Sequence, residues 1–368
     1  MQIPLMNLKR QHQGIQTEID AAIAKVLDEN NFINGPAVKE FEKEFSKLSG
    51  LKHTIACSNG TDAIQVILSA LNIGQGDEVI VPTMTFIATA EAATAVGAAV
   101  KFTDINLDDY CIDPKAVINA INEKTKAVIA VNLHGNPAKL KELQSICREK
   151  NIYLIEDNAQ AHLAKTDNQP VGSFGIASTF SFFPGKNLGA FGDAGAIGTN
   201  DEALALKLSK LVNHGRKNKY EHEMVGFNMR LDTLQAAVLN TKLKYLADWT
   251  EKRRLMAKRY NELLSGLPVT LPSYAENIYN VFHLYVVRIK KRDNVLKYLQ
   301  DNSIEAGVHY PLPLHLQPAY TYLGYKTGDF PNAELCANEF LSLPLCPMLT
   351  NEEQDYIVLK FKEALQLK

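Results

Sequence analysis

No apolar run approaches the roughly 20 residues a membrane-spanning helix needs. The N-terminal stretch MQIPLMNLKRQHQGIQTEID turns polar at once, which argues against a signal peptide. An excess of either charge is also missing, since 39 basic residues face 41 acidic ones for a net charge of −2. A nucleic-acid binder would show a basic surplus on one domain. Cysteine is scarce: Cys57, Cys111, Cys147, Cys336 and Cys346 are scattered, odd in number and form no CxxC pair. That pattern fits reduced, buried thiols rather than a disulfide framework or a zinc cluster. There are no repeats and no low-complexity stretch. These absences leave a globular, cytoplasmic chain. At 368 residues it exceeds what one hydrophobic core usually holds, so two domains are expected.

What is present has a clear rhythm. Ile19, Ile23, Val26 and Leu27 fall at helical spacing, and Val38, Phe41, Phe45 and Leu48 mark a second helix closed by Gly50. Short apolar strands then alternate with helices: EVIVP, AVKFTD, AVIAVNLHG and IYLIEDNA, followed by ASTFSFF and AGAIGT. Strands without clean alternation, separated by helices, predict a mainly parallel sheet covered on both faces. The last two strands leave no room for a helix between them and predict a hairpin-like feature. A charged helical arm over Leu231–Tyr260 leads to a smaller α+β section. That section holds the strand HLYVVRI, the helix RDNVLKYLQDN, the Pro-rich loop HYPLPLHLQP and a C-terminal helix. The expected division is a large domain over 1–245 and a small one over 246–368.

Four segments fall at strand ends or helix starts, where open α/β sheets bind ligands. In CSNGTDAI, Gly60 and Thr61 open a helix whose free N–H groups suit a phosphate, or Asn59 or Thr61 simply caps it. In LIEDNAQAH, Asp157 ends a buried strand, with Gln160 three residues on. That carboxylate either holds a ring nitrogen protonated or serves as a cap or ion-pair partner. In SFFPGKNLGA, Lys186 follows a Pro-Gly turn and a strand bearing Ser181. The amine points into a desolvated pocket, where a lysine of lowered pKa forms Schiff bases, or it faces water like most lysines. In GFNMRLDTLQAA, Asn228 and Arg230 precede a helix that Asp232 could cap. Together the set matches one ligand. Pyridoxal 5′-phosphate has a phosphate, a ring nitrogen that must stay protonated and an aldehyde that takes a lysine. Phe86, at a strand-to-helix junction in PTMTFIATA, is placed to stack on its ring.

With NGTDAI, VPTMTFIAT, EDNAQAH, SFFPGKNLGA, NMRLDTLQAA and HYPLPLHLQPAY in hand, the chain resembles the DegT/DnrJ/StrS-type sugar-nucleotide aminotransferases nearly end to end. The resemblance implies the aspartate-aminotransferase (type I) fold, α/β with a mainly parallel central sheet and a smaller C-terminal α+β domain. It implies Lys186 as the Schiff-base lysine and proton shuttle, Asp157 on the pyridine nitrogen and Gln160 on the ring hydroxyl. Gly60, Thr61 and Ser181 would bind the phosphate, and Asn228 would reach it from the other subunit of a homodimer. The motif SFFPGKNLGA is similar to that of the branch aminating C-3 of a dTDP-linked 3-keto-6-deoxyhexose from L-glutamate, through the pyridoxamine form. Amination at C-4, or of a UDP-linked 3-keto uronic acid, is the alternative, and a non-catalytic regulator is a third. Arg216, Lys217 and Lys219 are candidates for the substrate pyrophosphate, across the dimer or not, against a solvated loop. His309, Tyr310 and His315 are candidates for the sugar pocket, and their spacing fits no metal motif. His162 is assigned to substrate, with a packed core histidine as the alternative. Two residues depart from the family pattern, Leu163 and Ala194, both where glycine is usual.

Overall fold

The computed structural model describes residues 2–366. Its centre is a seven-stranded sheet. The strands are β1 (His53–Cys57), β2 (Glu78–Pro82), β3 (Ala99–Thr103), β4 (Thr125–Val131), β5 (Tyr153–Asp157), β6 (Ala177–Ser181) and β7 (Gly195–Thr199), in the order β1-β7-β6-β5-β4-β2-β3. The pairs among β2 to β6 are parallel; β7 alone runs against both neighbours, with Ser181 opposite Gly195 and Cys57 opposite Gly195. The expected hairpin-like feature is therefore the β6–β7 pair, and Lys186 lies on its connection.

The strands are buried on both faces because successive residues point opposite ways. Val79 and Val81 join Ile64, Val66, Ile67, Ile129 and Ile155 in one core, under the helices Gly60–Ala70, Ala88–Ala95 and Glu202–Leu211. Ile80 joins Val128, Ala130, Leu140 and Leu143 in the other, under Pro114–Ala120 and Leu140–Glu149. The pattern is that of a parallel sheet covered twice, as the unalternating apolar runs require.

A further core gathers Ala257, Tyr260 and Leu264 of the helix Leu246–Leu264 with Tyr285 and Val287 of β8 (Tyr285–Arg288). Leu341 and Leu343 of β9 (Phe340–Leu343) and Ile357 and Phe361 of the helix Asn351–Gln366 complete it. Ile3 belongs to this core and bridges Ile304. The expected ends at Met1 and Lys368 lie outside the described residues. The charged arm is not one helix but two, Thr233–Leu243 and Leu246–Leu264. Their break is at Lys244 and Tyr245, where the Tyr245 ring stacks on Trp249.

Candidate active site

Because all strands but β7 point the same way, the chain leaves β1, β2, β5 and β6 on one edge of the sheet. A cavity of about 720 Å³ opens there, lined among others by Gly60, Thr61, Phe86, Asp157, Gln160, Ser181, Lys186, His309 and Tyr310. These segments lie far apart in sequence, and one sheet edge collects them.

The helix Gly60–Ala70 starts at this edge. Asn59 does cap it, its side chain accepting from the Asp62 N–H at 2.8 Å. The cap satisfies one first-turn donor and leaves others turned to the cavity, so the two readings of this segment coexist. A side chain at Gly60 has no room: a Cβ there would lie 2.9 Å from Ser181 Cβ. Gly195 is tighter still, since its Cβ would meet the Asn59 carbonyl carbon at 2.3 Å. Ala194 beside it is buried and is not among the residues of positive φ, so its backbone does not require glycine.

Asp157 ends β5 and is buried. Its carboxylate accepts from Thr89 Oγ1 at 2.9 Å, Thr179 Oγ1 at 3.4 Å and the Ala159 N–H at 3.1 Å. Burial raises its pKa, and these donors with the Lys186 charge oppose the rise. Lys186 shows the converse: burial pulls its ammonium down to about 8, and the Asp157 charge pulls upward. Gln160 accepts from the His134 N–H at 2.6 Å and donates to Tyr310 Oη at 3.1 Å, so both its ends are fixed. Phe86 is half-exposed in the cavity, its ring 6.0 Å from that of Tyr310. His309 donates or accepts at Ser342 Oγ (2.8 Å), and burial lowers it to about 4.

Two assignments are corrected. His162 does not face the cavity. It is fully buried, with ring centroids 5.3 Å from Phe182, 6.0 Å from Phe180 and 6.4 Å from Phe45. Neither ring nitrogen has a hydrogen-bond partner among the described residues. Burial first, and the Lys186 charge second, lower it to about 3, so the ring is neutral. It packs as an aromatic residue because the turn after Asp157 carries it behind the sheet edge. His315 is also outside the cavity. Thr83 Oγ1 lies 2.8 Å from its Nδ1 and Glu334 Oε1 3.1 Å from its Nε2, so its ring pins the Pro-rich loop. Leu163 has φ 67°, a left-handed backbone that favours glycine, which accounts for the usual residue there.

Asn228, Arg216, Lys217 and Lys219 do not line this cavity. Asn228 is exposed, in a bridge with Asn213, and Lys217 pairs with Glu221 at 3.3 Å. Arg230 donates to Asn213 Oδ1 at 3.2 Å, and Asp232 begins the following helix without a side-chain capping bond. Several lining residues escaped the sequence reading: Met6, Thr85, Thr89, Asp193 and His283. Thr85 and Thr89 stand within VPTMTFIAT and His283 opens HLYVVRI, while Asp193 is the acidic residue just past the lysine turn.

An α/β sheet with one reversed strand, a small α+β unit, and a lysine facing a buried aspartate beside a helix N-terminus define a type I pyridoxal-phosphate fold. The crystal structure of DesV from Streptomyces venezuelae superposes with a TM-score of 0.97 at 39% identity, over 100% of this chain and 99% of that one. Residues 13–362 match the DegT/DnrJ/EryC1/StrS aminotransferase family, and the chain belongs to it. Among curated relatives, a "pleiotropic regulatory protein" of Geobacillus stearothermophilus is 44% identical over 99% of this chain and 98% of its own. The dTDP-3-amino-3,6-dideoxy-alpha-D-galactopyranose transaminase of Aneurinibacillus thermoaerophilus is 41% identical over 97% and 98%.

Proposed function

We propose that this chain transfers the amino group of L-glutamate to C-3 of a dTDP-linked 3-keto-6-deoxyhexose. The products are a dTDP-3-amino-3,6-dideoxyhexose and 2-oxoglutarate. The cofactor is pyridoxal 5′-phosphate, alternating with its pyridoxamine form. The residues present fit it. Gly60, Thr61 and Ser181 would hold the phosphate, where the Gly60–Ser181 approach leaves bare backbone for an anion. Asp157 would hold the ring nitrogen, Gln160 the ring hydroxyl, and Phe86 a ring face. When bound, the cofactor supplies an electron sink for a carbanion at the amino acid's Cα.

The observation that carries this reading is that Lys186 and the buried Asp157 line one cavity, each charge acting on the other's titration. With burial holding Lys186 near 8, a sizeable neutral fraction exists at physiological pH. A neutral amine takes a proton from Cα and, once charged, would deliver it to C4′ of the bound cofactor, which is general acid–base catalysis by one group. Thr89, Thr179 and the Ala159 N–H hold the Asp157 carboxylate in one orientation, so its charge is preorganised rather than gathered during reaction.

The substrate class rests on the lysine motif and on relatives such as the Aneurinibacillus transaminase. The active unit is a homodimer in which Asn228 reaches the partner site's phosphate and Arg216, Lys217 or Lys219 meets the sugar nucleotide's pyrophosphate. The exposure of Asn228, Lys217 and Lys219 and the partial exposure of Arg216, all away from the chain's own cavity, support that arrangement.

The test is spectral. L-Glutamate should bleach the yellow holoenzyme, and dTDP-3-keto-6-deoxyhexose should restore the colour. Restoration only by the 4-keto isomer, or only by a UDP-linked 3-keto uronic acid, would overturn the substrate and keep the reaction. Failure of glutamate to bleach would overturn the donor.

A further inference from the structure

His134 does not line the cavity, yet two of the cavity's walls hang on it. It lies in the turn after β4 and is buried, with a left-handed backbone at φ 60°. Its N–H donates to Gln160 Oε1 at 2.6 Å, and its ring Nε2 lies 3.0 Å from the His309 carbonyl. Its own carbonyl accepts from the Leu284 N–H at 3.3 Å. Gln160, His309 and Leu284 all line the cavity, and they come from three separate segments. A carbonyl only accepts, so His134 Nε2 carries the proton and donates. Burial lowers the ring to about 3, so it stays neutral with that proton in place. The ring packs edge-on against Phe340, with centroids 5.3 Å apart, and against Tyr110 at 6.4 Å.

The Gln160 contact sets a polarity. The His134 N–H takes the amide oxygen, so the amide nitrogen serves the other side and donates to Tyr310 Oη at 3.1 Å. The phenol oxygen is thereby an acceptor, and its own proton has no acceptor among the described residues. Burial raises the Tyr310 pKa, so that proton is retained. An amide nitrogen carries two hydrogens, so one is left on Gln160 for the cofactor's ring hydroxyl. We infer that His134 is a positioning residue for the sugar side of the site: its ring holds the loop bearing His309 and Tyr310 against Gln160, so that the Tyr310 hydroxyl is presented to a sugar oxygen. The inference rests on the reading of His309 and Tyr310 as sugar-pocket residues. One residue thus sets the cofactor-facing amide through its backbone and the substrate-facing loop through its ring.

The two attachments separate by mutation. His134→Phe keeps the backbone N–H on Gln160 and an aromatic ring against Phe340, and loses the donor at Nε2. His134→Gln brings an amide N–H back within reach of the His309 carbonyl. Both variants carry the same left-handed backbone, so their comparison isolates the donor. The first readout is amide hydrogen exchange in the full-length chain freed of cofactor, followed by mass spectrometry. Losing one buried hydrogen bond should speed exchange over residues 307–316 about tenfold in His134→Phe. His134→Gln should stay within about threefold of wild type. In both variants β4 and β5 should keep wild-type rates. Equal acceleration in the two variants, or acceleration of the strands along with the loop, marks a purely structural ring and would overturn the inference. So would an unchanged loop in His134→Phe. The second readout uses the holoenzyme. His134→Phe should raise KM for dTDP-3-keto-6-deoxyhexose about tenfold and change glutamate bleaching less than about twofold. An unchanged KM, or bleaching impaired as much as the sugar step, would overturn the inference. Recolouring of the wild type only by some other keto sugar would instead sink the proposed substrate. The exchange measurement needs neither cofactor nor sugar, so it decides the role of His134 in either case.

Discussion

The His162 ring makes a quantitative prediction about acid stability. Folded, it sits among Phe45, Phe180 and Phe182 with a pKa near 3; unfolded, an imidazole titrates near 6.5. Above pH 6.5 both states are neutral and the ring adds no pH dependence. Below it the unfolded chain binds a proton that the native chain refuses. Stability then falls as pH falls, by about 1.4 kcal/mol per unit, and levels off only below the native value. Between pH 6.5 and 5 this amounts to about 2 kcal/mol. His162→Leu removes that proton site and two unpartnered buried nitrogens, whose loss is neutral or favourable by itself. The assay is urea unfolding of both proteins at pH 8 and pH 5. Repacking costs are the same at both pH values and cancel, as do the other buried histidines. The variant should therefore gain about 2 kcal/mol on wild type between pH 8 and pH 5. An equal gap at the two pH values would refute the buried, neutral ring. Unchanged stability with a lost half-reaction would return His162 to the substrate site.

Other perturbations probe the cavity and its frame. Gly195→Ala drives a Cβ into the Asn59 backbone and so displaces the helix start; overpacking of this kind costs about 1–3 kcal/mol, and equilibrium dialysis should show cofactor affinity about ten- to a hundredfold weaker. Lys186→Ala should fold normally by circular dichroism and fail to bleach with glutamate. Mixing it with Lys219→Ala should restore one competent site per mixed dimer if Lys219 serves the partner, and no recovery would confine Lys219 to its own subunit. His315→Ala strands Thr83 Oγ1 and Glu334, so unfolding should show a loss of about 1–3 kcal/mol, with the bleaching reaction retained.

The parts of the site that sequence made legible share a cause. Gly60, Asp157 and Lys186 each sit where a periodic segment stops, so a polar residue there interrupts a pattern and is visible. His283 interrupts nothing local, and Thr89 and Thr179 lie inside apolar or small-residue runs. Their places in the site come from strand order, which brings β5, β6 and the start of β8 together and leaves no mark within any one segment. His162 illustrates the opposite error: it shares a motif with Asp157, but chain proximity does not fix which side of a turn a ring occupies. The sheet's parallel character followed from its doubly buried strands. The strand Phe340–Leu343 did not, because FLSL continues directly from the helix Pro331–Glu339 with no turn residue between them. Two-residue strands such as Lys165–Thr166 are too short to carry any period.

The bridge between Ile3 and Ile304 bears on how the protein is made. A ribosome delivers residues in order, and domains form as units while the chain emerges. The seven-stranded sheet is complete in sequence by Thr199, well before Ile304 is synthesised. Until then Ile3 has no docking surface, because the core that receives it is still missing. His283, Leu284, His309 and Tyr310 form a wall of the cavity and are also still to come. The nascent sheet can thus present its lysine and aspartate while the chamber around them still lacks that wall, and closure waits for translation of the C-terminal unit. A bulky fusion placed directly ahead of Ile3 would interfere at this late docking event and leave the earlier-formed sheet intact.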